Sequence, residues 1–202
     1  MAAIRTTDFV FNVRDFFFAI YAFSVIRLTK TKRMNHRSVT NTVYNKTYPN
    51  SMKLTSTAFA QNAKIPSKYT CDGKNNNPPL TVTDIPEGTK SLVLIVDDPD
   101  APSGTWHHWS VFNISPTVSH IDESSIPTGA LEGMTDFQKP GYGGPCPPPA
   151  SPEQLQRGES RTHRYFFKLS ALDTMLPLEQ GATLQEINNQ MKGHVLDEAE
   201  LI

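Results

Sequence analysis

Cysteine is almost missing: Cys71 and Cys146 are the only two in 202 residues. Two cysteines exclude the multi-bridge framework that holds many small secreted domains together. Free thiols in a reducing compartment are the expectation, with a cytoplasmic location. A single bridge between the two is the alternative that the sequence leaves open. Net charge is missing too, since nineteen Lys and Arg face twenty Asp and Glu. So balanced a chain gives no reason to expect nucleic acid, and its main body has no basic patch interleaved with aromatics. Long apolar runs are also lacking. The aromatic stretch over residues 16–26 is eleven residues long, whereas a membrane span needs about 20. Arg27, Lys30, Lys32 and Arg33 follow it, where a secretory signal would have a small-residue cleavage site.

Enzyme signatures are lacking as well. There is no Gly-x-Ser-x-Gly elbow for a hydrolase and no glycine-rich phosphate loop ending in Lys-Ser/Thr. The adjacent pair His107-His108 should point to opposite faces of a strand, a poor geometry for chelating a metal. Cys146 with His163 remains only as an outside nucleophile pair. No catalytic role and no cofactor are expected.

Turn formers and an uneven charge distribution are what the chain does have. Sixteen prolines and eleven glycines imply short strands and many turns rather than a helical bundle. Residues 1–51 carry eight Lys and Arg against two Asp and Glu, and residues 52–202 carry eleven against eighteen. The chain therefore divides near Met52. Residues 1–51 are expected to be an N-terminal extension that packs poorly, and residues 52–202 the folded domain.

Strands are predicted over residues 52–59, 80–83, 92–96 and 106–114, and again over 163–172, from β-branched runs and period-two alternation. On the fourth, alternation groups His108, Ser110, Phe112 and Ile114 on one face, and His107, Trp109 and Val111 on the other. Residues 116–144 and 151–161 read as loops. Thr183 and Glu186 form a capping box that opens a helix bearing Leu184, Ile187, Met191 and Val195. The expected architecture is mainly β, a sandwich with helical decoration.

One strand ends in Asp97-Asp98-Pro-Asp100, where proline stops the ladder. Asp98, Asp100, His108, His163 and Tyr165 all fall at or beside strand ends. Imidazoles, a phenol and glycine-rich backbone can donate hydrogen bonds to an anion, while carboxylates fix the rings. Such a set would bind a phosphate or carboxylate group.

Four motifs carry a resemblance. They are Asp98-Pro-Asp-Ala-Pro102, Trp106-His-His-Trp109, Gly141-Tyr-Gly-Gly-Pro-Cys-Pro-Pro148 and His163-Arg-Tyr165, in that order. Together they resemble the phosphatidylethanolamine-binding proteins, and within them the bacterial and archaeal Raf kinase inhibitor-like branch. That branch shares Tyr69-Thr-Cys-Asp-Gly73 and Ala171-Leu-Asp173 as well. The resemblance covers about residues 52–202 and implies a β-sandwich with a late C-terminal helix, a small anion pocket and no cofactor. It implies a pocket of Asp98, His108, Pro147, Pro148, His163 and Tyr165, with Asp100 and Gly144 beside them.

The sequence departs from the family pattern in three places. Val82 stands where relatives usually have Trp. The loop over 149–162 is longer and more charged, with Arg157, Glu159 and Arg161. The sequence stops at Ile202, where relatives commonly continue into a Gly-x-Tyr-x-Arg strand. The expected function is non-catalytic binding of a small ligand bearing phosphate or carboxylate, such as a phospholipid headgroup. The alternative is a protein kinase or protease inhibitor acting through a protein interface.

Overall fold

The computed structural model describes residues 51–149, 151–157 and 162–202. Apart from Ser51, the expected N-terminal extension lies outside the described residues, as do Glu159 and Arg161. Strands β1 (Lys53–Thr55), β2 (Leu80–Thr83) and β5 (His120–Ile121) form one antiparallel sheet in the order β1-β2-β5. The second sheet adds β3 (Ser91–Asp98), β4 (Trp106–Ile114), β6 (Leu131–Glu132), β7 (Phe166–Leu172) and β8 (Val195–Leu201), in the order β6-β4-β3-β7-β8. Among the described residues two α-helices accompany them, α1 (Pro152–Gln156) and α2 (Leu184–Met191).

The central strand explains its own sequence. Every residue of β3 is buried, because each face of its sheet is covered. Leu92, Leu94 and Val96 meet Leu54, Leu80, Val82 and Ile121 of the opposite sheet in the main core. Val93 and Ile95 join Phe112, Leu172 and the α2 residues Ile187 and Met191 in a second core. A strand buried on both faces reads as a continuous apolar run instead of an alternation. Val82 fills its place in the main core at 2 % exposure.

The mainly β sandwich agrees with expectation, but several details differ, among them the strand predicted over 163–172, which begins at Phe166 and leaves His163 and Tyr165 before it. On β4 the simple alternation fails at two register shifts against β3. At each shift the ladder takes in an extra residue, which turns the following side chains to the other face. Trp109, Val111 and Ile114 therefore share the main core, and Phe112 lies in the second. His107 and His108 still point apart. Helix α2 has the predicted capping box but ends at Met191, and Gly193 takes a positive φ of 81°, a conformation that glycine adopts freely. Val195 consequently belongs to β8 and not to the helix. The region 116–144 contains the two-residue strands β5 and β6, and 151–161 contains α1, with Pro152 at its first position, where a missing N–H costs nothing. The first strand is only three residues long.

The expectation of free thiols is overturned. Cys71 and Cys146 form a disulfide, with Cα atoms 5.4 Å apart across a sequence separation of 75. Two loops far apart in sequence meet there, an approach that residue spacing does not reveal. No helix among the described residues is long and apolar enough to cross a membrane.

Candidate functional site

Three strand ends converge at one edge of the larger sheet. Asp98 at the end of β3 lies opposite Trp106 at the start of β4, and Asp97 lies opposite Phe166 at the start of β7. The second register shift of β4 falls here, since Val96 pairs with Trp109 while Asp97 pairs with His107. His108 is the extra residue. The bulge turns its ring to the side of Tyr165, with centroids 5.2 Å apart in an edge-on contact. Phe137 meets the same ring edge-on at 5.4 Å.

A cavity of about 310 Å³ opens between these residues. Asp98, His108, His163 and Tyr165 supply its polar groups, and Trp106, Phe137, Pro147 and Pro148 form much of its apolar wall. His163 Nδ1 lies 2.7 Å from Asp98 Oδ2, and the Asp100 N–H donates to Asp98 Oδ1 at 2.9 Å. Asp98, 3 % exposed, is thus partnered on both oxygens. With His163 Nδ1 engaged, Nε2 is the ring nitrogen left for a ligand.

His108 Nδ1–H donates to the Gly143 carbonyl at 2.6 Å. A carbonyl only accepts, so the proton of the neutral ring sits on Nδ1 and Nε2 carries the lone pair. Burial pushes the His108 pKa below the ordinary imidazole value, while the Gly143 carbonyl and the Asp98 charge oppose that shift. The Tyr165 hydroxyl is buried and has no hydrogen-bond partner of acceptable geometry among the described residues. Burial first, and then the nearby Asp98 carboxylate, through its charge and as an acceptor beside the hydroxyl, push its pKa up, so it stays a phenol that can donate. The backbone N–H of Cys146 acts weakly in the opposite sense.

One wall is a strap over residues 141–148. The Tyr142 hydroxyl donates to Tyr69 O at 3.0 Å, Gly144 N–H to Asn75 Oδ1 at 2.8 Å, and Cys71 N–H to Pro145 O at 3.0 Å. The disulfide is the covalent member of this set.

The model of the phosphatidylethanolamine-binding protein family matches residues 55–202. The chain belongs to this family. A UPF0098 protein of Methanothermobacter thermautotrophicus is 47 % identical over 156 residues, which is 75 % of this chain and 96 % of the relative. A UPF0098 protein of Chlamydia pneumoniae is 42 % identical over the same shares. Among solved structures, a phosphatidylethanolamine-binding protein homolog from Chlamydia trachomatis superposes with a TM-score of 0.67 at 42 % identity, covering 75 % of this chain and 95 % of its own. E. coli YbcL superposes at 0.66 with 30 % identity, covering 75 % and 96 %.

In this family member the structure brings six of the eight residues singled out from sequence to one cavity: Asp98, His108, Pro147, Pro148, His163 and Tyr165. The other two stand behind it. Asp100 is turned to Arg164, which donates from its backbone N–H and Nε at 2.9 Å each and from Nη2 at 2.7 Å. That guanidinium holds the Asp100 pKa down at about 2. Gly144 packs its backbone where a Cβ would come 2.6 Å from Asn75 Oδ1 and still nearer Tyr69 O. Phe137, the Gly143 carbonyl and Ala101, Pro102 and Ser103 escaped the sequence reading. Only the Asp-Pro-Asp-Ala-Pro motif gave a signal for Ala101 and Pro102. Phe137 lies in a stretch with no periodicity.

A larger hollow, about 470 Å³, lies beside His107 and the start of α2. Its histidine is already satisfied, with Nδ1 3.0 Å from Asp97 Oδ1 and Nε2 3.2 Å from Ser110 Oγ. The smaller cavity holds the groups that await a partner, and it is therefore the candidate site.

Proposed function

We propose that this chain is a non-catalytic binding protein for a small oxyanion, a phosphate or carboxylate group, held between His108, His163 and Tyr165. The observation that carries this reading is the buried Tyr165 hydroxyl with no partner among the described residues. An unsatisfied buried polar group costs roughly 1–3 kcal/mol, and a ligand oxygen at that point would recover it. Both histidines have Nδ1 engaged, which leaves two Nε2 atoms for the same ligand. Asp98 would repel an anion if it stood alone, but its carboxylate is committed to His163 and to the Asp100 N–H. The apolar walls of Trp106 and Phe137 suit a carbon group attached to the oxyanion, as in a phosphomonoester or a lipid headgroup.

Two observations favour binding over turnover. While the Cys71–Cys146 bridge is closed, Cys146 is not a thiolate nucleophile. Ser110, bonded to His107 and through it to Asp97, has the residue types of a hydrolase triad but is fully buried. The bridge also removes the ground for a cytoplasmic location. Disulfides persist in oxidising compartments, and this chain fits one better.

The test is a titration of the full chain with inorganic phosphate, followed by NMR of the histidine rings. Shifts at His108 and His163 that are lost in His108→Ala support the reading. Ring signals that stay fixed up to tens of millimolar phosphate would refute it. Loss of phosphate binding in His108→Ala with retained inhibition of a kinase or protease would favour action through a protein interface instead.

A further inference from the structure

We propose that the Cys71–Cys146 bridge is a thiol–disulfide exchange site for a dithiol reductant, and that its redox state sets the wall of the oxyanion cavity. The second half rests on the function proposed above; the first does not.

Placement makes the bridge reactive. Both half-cystines are exposed, and Cys146 also borders the cavity. An exposed disulfide is open to the in-line approach of an attacking thiolate, and exposed bridges are the labile, regulatory kind. Neither cysteine belongs to a strand or helix of the fold. Cys71 follows the short 3-10 turn Ser67–Tyr69, and Cys146 sits in the strap. Breaking the bond leaves both sheets and both cores as they are.

The same placement connects the bond to the cavity. On one side of Cys146, Pro147 and Pro148 form cavity wall. On the other, the Gly143 carbonyl fixes the His108 ring. Pro145, Pro147, Pro148 and Pro149 have no N–H to donate, so few backbone bonds hold the strap down. Among the described residues five hydrogen bonds remain beside the bridge: those of Tyr142, Gly144 and Cys71 N–H, and the two that Gly143 makes with His108, through its N–H to the His108 carbonyl and through its own carbonyl to the ring. Reduction therefore loosens the strap without releasing it.

In the exchange, a reductant thiolate attacks one sulfur and the Cys71–Cys146 bond breaks. The other sulfur leaves as a thiolate and takes a proton. The second thiol of the reductant then displaces the mixed disulfide. The chain gains two electrons and two protons, and the dithiol becomes a cyclic disulfide. In an oxidising setting the bridge closes and the cavity wall is firm. In a reducing one the wall slackens.

The test compares the full chain oxidised and after dithiothreitol, with circular dichroism to establish that both forms are folded. Alkylation and mass measurement count the thiols. Amide exchange at Gly143, Gly144 and Cys146 should be about tenfold faster in the reduced form, and inorganic phosphate should bind about threefold more weakly. The double variant Cys71→Ser, Cys146→Ser should behave as the reduced form does. A bridge that yields to dithiothreitol only on unfolding overturns the proposal, and so does exchange that is unchanged on reduction. Equal phosphate affinity in the two forms overturns the coupling to the cavity. If neither form binds phosphate while exchange still rises, the exchange site stands and the oxyanion reading falls.

Discussion

Gly143 leaves room for Phe137: a Cβ built on it would run into the ring at Cδ2 and Cε2. The same residue accepts the His108 Nδ1–H through its carbonyl. One glycine therefore admits an aromatic wall and fixes the neighbouring imidazole. Phe137 is 37 % exposed, so a larger residue would push it outward without breaking the core. Gly143→Ala should cost about 1–2 kcal/mol in urea unfolding, the scale of modest overpacking. It should also displace the Phe137 and His108 ring signals. A variant with wild-type ring signals would show that the close approach has no consequence.

Tyr165→Phe separates stability from binding. The lost hydroxyl makes no hydrogen bond to the described residues, so its removal takes away an unsatisfied buried group and should leave stability equal or raised. Phosphate affinity should fall about tenfold, in keeping with a hydrogen bond to a charged acceptor of roughly 1.5–3 kcal/mol. Denaturant unfolding and calorimetric titration give the two readings. A destabilised variant that binds normally would make Tyr165 a structural residue only.

The residues of this site show why part of it could be read in sequence and part could not. Asp98, His163 and Tyr165 end or precede apolar runs, so their place at strand ends follows from local pattern. Alternation puts His108 opposite His107, and in the structure the two rings point apart, but for a reason that alternation does not contain. Two bulges, rather than strict parity, set the faces of β4, and the one between Val111 and Ile114 turns Ile114 to the face opposite Phe112. Phe137 and the Cys71–Cys146 bridge come from loops whose meeting is tertiary, and neither has a local signature. The charged pair Asp100–Arg164 illustrates the converse. The Asp-Pro-Asp motif marks Asp100 as a site residue, yet its side chain is used to hold the turn.

Arg164→Ala tests that supporting role. The guanidinium donates to both Asp100 oxygens and holds the carboxyl pKa near 2. A depressed carboxyl contributes stability above its unfolded pKa, and that contribution is lost as pH falls towards the folded one. Because the Arg164 side chain is 63 % exposed, solvent screens the pair and the contribution is small. In the variant the Asp100 carboxyl, followed by carbon-13 NMR, should titrate nearer the ordinary aspartate range. Phosphate affinity should change by less than about threefold. A larger loss would return Asp100 to the pocket.

The tautomer of His108 dictates how ligand binding depends on pH. With Nδ1–H given to Gly143, the free ring has a lone pair at Nε2, the nitrogen left for an oxyanion. Burial depresses its pKa, so the His108 ring of the empty site is neutral at pH 7. An anion at Nε2 favours the imidazolium, and binding therefore takes up a proton. Affinity should rise as pH falls below 7 and level off once the free ring is itself protonated. Sulfate is the suitable probe because it does not titrate in this range, so any slope belongs to the protein. The empty chain should behave in the opposite sense. A histidine with a depressed pKa gives stability that is complete above about 6.5 and lost as pH falls through its folded value. Between pH 7 and 5 the Tm without ligand should drop while the sulfate-induced rise in Tm grows, and both trends should weaken in His108→Gln. Sulfate binding of constant strength across that window would mean that His108 does not take up the proton.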